Sequence, residues 1–135
     1  MHVPKREMYS MDTIENLNTV LKEFAVVRDW EKFHSPKNLS MALIVEAAEL
    51  VEHFQWLTEE QSYKLSKEKH QEVGYEMADI LLYLIRLSER LDIDLIAAAE
   101  GKVKINEKRY PADKVRGSAK KHSDYEEVEG DDSGC

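Results

Sequence analysis

Two stretches of this chain are apolar almost all the way round, and both carry carboxylates in their middles. From Asn38 to Leu57 the run includes Met41, Ala42, Leu43, Ile44, Val45, Ala47, Ala48, Leu50, Val51 and Phe54. Glu46 and Glu49 interrupt it three residues apart, with Glu52 and His53 on the next turn. From Met77 to Ile85 the only charge is Asp79, three residues after Glu76, with Glu72 one turn before and Tyr83 one turn after. A helix apolar on most of its surface is buried on most sides. An ionised carboxylate there without a partner costs several kcal/mol. Such an acid must neutralise, pair with a cation or bind a metal. The fold therefore has to bring something to these acids.

The rest of the pattern is helical too. Ile14, Leu17, Leu21, Phe24 and Ala25 mark one apolar face of a helix from about Met11 to Trp30, with Ser10 or Asp12 as its cap. Lys32–Asn38, with Pro36, reads as a connector to a second helix ending near Leu57. Thr58 and Gln61 have the spacing of a capping box, in a polar stretch expected to be a loop with one helical turn. A third helix is expected from about Ser66 to Leu91, and a fourth from Leu95, capped by Asp94, to Tyr110 before Pro111. No strand alternation interrupts this series. The expected architecture is an all-α, four-helix bundle-type domain over residues 11–111. Its apolar surface exceeds what one small bundle covers, so a dimer or higher oligomer is expected.

Charge narrows the partners. The net charge of −8 is concentrated in residues 123–135, where six acids stand without a Lys or Arg. This composition fits a solvated tail over 112–135, with residues 1–10 as a short N-terminal extension. Acidity argues against nucleic acid as a partner, because phosphate-backbone binding needs an excess of Lys and Arg. No apolar run is long enough for a membrane span, and the start of the chain lacks a secretory core, so a cytoplasmic location is expected. Cys135 is the only cysteine and can form no internal disulfide.

A single acid on a helix is ordinarily solvated. Two pairs at a spacing of three, each inside the most apolar part of its helix, point the other way. If the two helices are antiparallel neighbours, four carboxylates converge and their repulsion calls for a polyvalent cation. All-oxygen ligands suit Mg²⁺, with Mn²⁺ as a substitute. A di-iron centre would need Glu-x-x-His on two helices, and neither His53 nor His70 stands at that spacing. Cations on such cages work on phosphate esters and anhydrides. Lys102, Asn106 and Arg109 share one face of the fourth helix and could hold phosphates, or be an ordinary solvated face.

Glu-x-x-Glu, a gap of 26 residues and Glu-x-x-Asp resembles the metal signature of the all-α nucleoside triphosphate pyrophosphatases, in their MazG-like and dCTP pyrophosphatase branch. The resemblance extends through Phe24–Trp56, Tyr75–Leu84 and Lys104–Pro111. It implies Mg²⁺-dependent hydrolysis of a nucleoside triphosphate to a monophosphate and pyrophosphate, clearing dCTP-like or non-standard nucleotides from the pool. It implies Glu46, Glu49, Glu76 and Asp79 as metal ligands, Glu49 also orienting the attacking water. By the same likeness Trp30 and Trp56 line the base pocket, Tyr83 lies beside Asp79, and Lys102, Asn106 and Arg109 face the phosphates. A homodimer or homotetramer with sites between subunits is also implied. Three positions depart from the pattern. Leu21 stands where animal members of the dCTP branch carry His, and Val45 and Ala48 replace glycines. Two other readings stay open: the same chemistry on dUTP or phosphoribosyl-ATP, and a non-catalytic helical dimerisation or regulatory module.

Overall fold

The computed structural model describes Met11 and residues 13–120. Among these residues every regular element is a helix: α1 (Ile14–Val26), a 3-10 turn (Glu31–Phe33), α2 (Pro36–Glu52), α3 (Glu59–Ser62), α4 (Lys67–Arg90), α5 (Leu95–Arg109) and α6 (Ala112–Val115). The all-α class expected from sequence is the one observed.

Side-chain oxygens start the first four helices. Thr13, Ser35, Thr58 and Ser66 each accept from the backbone N–H three residues on. This satisfies one of the donors that a helix start leaves unpaired. Thr58 and Gln61 complete the capping box reciprocally, so the expected turn in the polar stretch is α3. Thr13 caps α1; Ser10 and Asp12, the caps expected there, lie outside the described residues. Pro36 belongs to the first turn of α2 rather than to a connector, because its missing N–H is not needed there.

Two helices end on the same device. Asp29 and Asp92 adopt left-handed φ values of 53° and 54°. Each lets the next N–H reach back five residues, from Trp30 to Ala25 O at 2.9 Å and from Ile93 to Ser88 O at 2.8 Å. Hence α1 stops at Val26, short of the expected Trp30, and the chain turns at once. The second helix also stops early, at Glu52, and residues 53–56 are turns.

The chain divides into two compact units, residues 1–94 and 95–135. In the first, α4 packs against both α1 and α2. The pairing of α2 with α4 is antiparallel. His53 meets Lys69, Glu46 lies near Glu76 and Asp79, and His34, just before α2, bonds Arg86. Ala25, Leu39, Val73 and Ile85 form the buried apolar core. The second unit holds α5 and α6, and α6 occupies the start of the stretch expected to be tail. The N-terminal extension and the acidic segment with Cys135 lie outside the described residues.

One expectation is corrected. The second helix is not buried on most sides within one chain: Met41, Ile44, Val45 and Val51 are each more than half exposed. They recur along one face that α4 does not cover. No helix among the described residues is long and apolar enough to cross a membrane.

Candidate active site

Antiparallel packing of α2 on α4 brings Glu46, Glu49 and Glu76 together, with one carboxylate oxygen from each lying within 4.8 Å of the others. Asp79 stands outside this tight trio, though its charge still acts on Glu46 and on the Tyr83 hydroxyl. The buried Oε2 of Glu76 has no hydrogen-bond partner among the described residues. A cluster of three carboxylates in which one buried oxygen is left without a partner is the donor arrangement a divalent cation completes. The residues fit such an ion.

Crowding leaves its mark on the acids. Burial first, then a hydrogen bond with Glu49, then the charges of Glu49, Asp79 and Glu76 raise the Glu46 pKa from 4.5 to about 7. Glu46, hydrogen-bonded to Glu49, thus keeps its proton in mild acid. Because the folded value is the higher one, this group's stabilisation of the metal-free fold is present in acid and lost as pH rises through about 7. A cation must displace the proton. Affinity for a divalent cation is therefore expected to climb from mild acid to about pH 7 and level off above it. Calorimetric titrations of the metal across that range check this, and a flat profile contradicts it.

His53, from the turn after α2, lies against the far side of the trio. Its Nε2 is 3.8 Å from Glu76 Oε1, and its Nδ1 is 3.3 Å from Lys69 Nζ, which also bonds Glu72 at 3.0 Å. That hydrogen bond holds the Glu72 carboxyl below its usual range. Lys69 and His53 thus bring positive and polar groups to the rim of an otherwise anionic cluster.

Beside the acids opens a cavity of about 220 Å³. Leu21, Phe24, Ala25 and Leu82 form its apolar walls, and Glu46, Asp79 and Tyr83 also line it. Trp30 also lines it, with its ring edge-on to Phe24 at 5.8 Å between centroids. The Arg28 guanidinium also sits over Phe24, 3.4 Å from the ring centroid. Tyr83, near three carboxylates, has its phenol pKa raised, chiefly by burial.

The sequence-expected residues divide into three groups. Glu46, Glu49, Glu76, Asp79, Trp30 and Tyr83 gather around the trio and its cavity. Trp56 does not: within one chain it is 87% exposed and outside the cavity. Lys102, Asn106 and Arg109 lie exposed on α5, in the second unit. Two residues not foreseen, His34 and Arg86, complete the cavity lining. A signal existed for Arg86: a lone Arg directly after nine residues with one charge, three residues before Glu89.

Comparison with known proteins adds to this geometry. Residues 41–125 match the MazG-like family. The chain belongs to that family. It is 39% identical over 124 residues to dCTP pyrophosphatase 1 of Homo sapiens, covering 90% of this chain and 73% of that one. With dCTP pyrophosphatase 1 of Bos taurus it shares 41% identity over 117 residues, 85% of this chain and 69% of that one. A solved pyrophosphatase from Archaeoglobus fulgidus superposes with a TM-score of 0.70 at 38% identity, over 73% of this chain and 92% of its own. These likenesses place this MazG-like chain among the diphosphatase hydrolases.

Proposed function

We propose that this protein is a Mg²⁺-dependent nucleoside triphosphate pyrophosphohydrolase that converts dCTP-like or non-standard deoxynucleotides to monophosphate and pyrophosphate. The observation that carries this reading is the carboxylate trio with an unsatisfied Glu76 oxygen, opening onto an apolar cavity walled by Trp30 and Phe24. Glu46, Glu49, Glu76 and Asp79 would hold the cation, and their all-oxygen character favours Mg²⁺, with Mn²⁺ able to replace it. When bound, the ion supplies positive charge against the phosphate oxygens as the anhydride bond breaks.

The protein's own groups do the rest. Glu49 accepts a proton from the attacking water and orients it toward the phosphorus. Trp30 offers an aromatic wall to the base, and Tyr83 closes the side next to Asp79. Lys102, Asn106 and Arg109 bind the leaving pyrophosphate in this reading. The exposed apolar faces, Met41, Ile44, Val45 and Val51 on α2 and Met77, Leu81 and Leu84 on α4, support a homodimer or homotetramer. Such an assembly is also what would give the exposed Trp56 a ligand to touch. The enzyme works on the cytoplasmic nucleotide pool and on free nucleotides rather than nucleic acid.

The test is pyrophosphate release with Mg²⁺ across dCTP, 5-substituted dCTP, dUTP, dTTP, dATP, phosphoribosyl-ATP and the ribonucleotides, together with the mass in solution by sedimentation equilibrium. Release from dCTP-like substrates by a species of two or four chains is expected. No release from any of them would favour a non-catalytic helical module.

A further inference from the structure

At the end of the cavity away from the trio, a histidine is fixed in one chemical form. The Arg86 Nε donates to His34 Nδ1 at 3.2 Å. A guanidinium can only donate, so Nδ1 is the acceptor and the ring proton sits on Nε2. Arg86 is itself held, donating to Glu89 Oε2 at 2.9 Å and to Glu31 Oε1 at 3.3 Å. The backbone of His34 is tied at both ends: its N–H donates to Glu31 O at 3.1 Å, and its carbonyl accepts from Arg90 Nε at 3.0 Å. Neither the ring nor its tautomer has freedom to adapt. The ring lines the cavity, and Nε2 has no hydrogen-bond partner among the described residues.

Position says which part of a ligand this donor meets. Arg86 lies seven residues beyond Asp79 on α4, about 10 Å along the axis at roughly 1.5 Å per residue. A nucleotide whose phosphates reach the carboxylates sends its base, not its phosphates, toward that end. The apolar and aromatic walls between the two suit the plane of a base. We propose that His34 is a specificity-determining residue whose Nε2–H donates to a carbonyl oxygen or unprotonated ring nitrogen on the edge of the bound base. This rests on the reading of the cavity as a nucleotide site.

The environment favours the neutral ring throughout: burial, then the charges of Arg86 and Arg90, lower the His34 pKa against the opposing pull of Glu31. The donor count is thus one, and a base presenting an N–H at the same place would leave two donors facing each other. Rejection by an unpaired polar group is stronger than rejection by a missing methyl. Leu21, also in the lining, adds no competing polar group.

The experiment compares two non-hydrolysable ligands by calorimetry with Mg²⁺: α,β-imido dCTP and the abasic deoxyribose α,β-imido triphosphate. His34→Phe is expected to weaken binding of the dCTP analogue about tenfold, as loss of one hydrogen bond from a desolvated donor does, and to leave the abasic ligand unchanged. His34→Gln, which keeps an N–H near the Nε2 position, should recover most of the loss. Equal weakening of both ligands, no weakening of either, or failure of Gln to recover binding would each overturn the proposal. Failure of the broader reading looks different and overturns both: wild type would bind neither ligand and would release no pyrophosphate from dCTP.

Discussion

Replacing Glu49 with Gln is expected to lower turnover by about 10²–10⁴-fold, the range in which a positioned carboxylate base contributes to catalysis. The substitution keeps the size of the side chain and its place in the trio with Glu46 and Glu76. It removes the group proposed to take the proton of the attacking water. It also removes one of the charges that raise the Glu46 pKa to about 7. Repulsion within the metal-free cluster therefore falls, and the variant should melt at or above the temperature of wild type. Loss of activity with stability kept separates a chemical role from a structural one. Asp79→Asn should be equally inactive at low Mg²⁺, and partly recover when Mg²⁺ is raised if its main contribution is to hold the ion. Pyrophosphate release at several Mg²⁺ concentrations, with thermal melts of the same samples, checks both. A Glu49→Gln enzyme within about tenfold of wild type would place the water elsewhere.

The opposite signs of these two effects explain why the acids stand out in the sequence itself. Four carboxylates inside apolar helices make the metal-free fold less stable, and such a conflict is conspicuous in a helical pattern. The helices are legible for a related reason, since their caps at Thr58 and Ser66 and their apolar periodicity are local properties. Boundaries set by backbone conformation are not. Nothing in the residue pattern marks Asp29 as left-handed, yet that one dihedral ends α1 early and sets Trp30 against Phe24. Pro36 misleads in a similar way, because proline breaks a helix from within but begins one without strain. The Arg86–His34 pair joins residues 52 apart, and only tertiary packing brings them together. The family likeness marks Trp56 as a base-pocket residue, whereas within one chain it stands in solvent. What covers an apolar surface is a property of the assembly, which periodicity along one chain does not address.

Arg86→Met should be the most destabilising single change in the first unit outside the apolar core. The Arg86 side chain is 4% exposed and joins three partners, Glu31 and His34 from the segment before α2 and Glu89 on its own helix. Methionine fills similar volume but leaves two carboxylates and a ring nitrogen facing an apolar group. Breaking a buried ion pair on one side costs about 3 kcal/mol or more. For a domain of this size that corresponds to a fall in melting temperature of roughly 10 °C. Arg86→Lys keeps the charge but not the planar fork, so it can serve one acceptor well and not three, and an intermediate loss is expected. Arg90→Met provides the contrast. Arg90 is exposed and donates to the carbonyls of His34 and Glu31, so its loss should cost about 1 kcal/mol. Thermal and urea unfolding should rank the damage as greatest for Arg86→Met, smaller for Arg86→Lys and smallest for Arg90→Met. An Arg86→Met protein that melts within about 2 °C of wild type would mean that the buried network contributes geometry to the cavity and no net stability, the other outcome open to a buried ion pair.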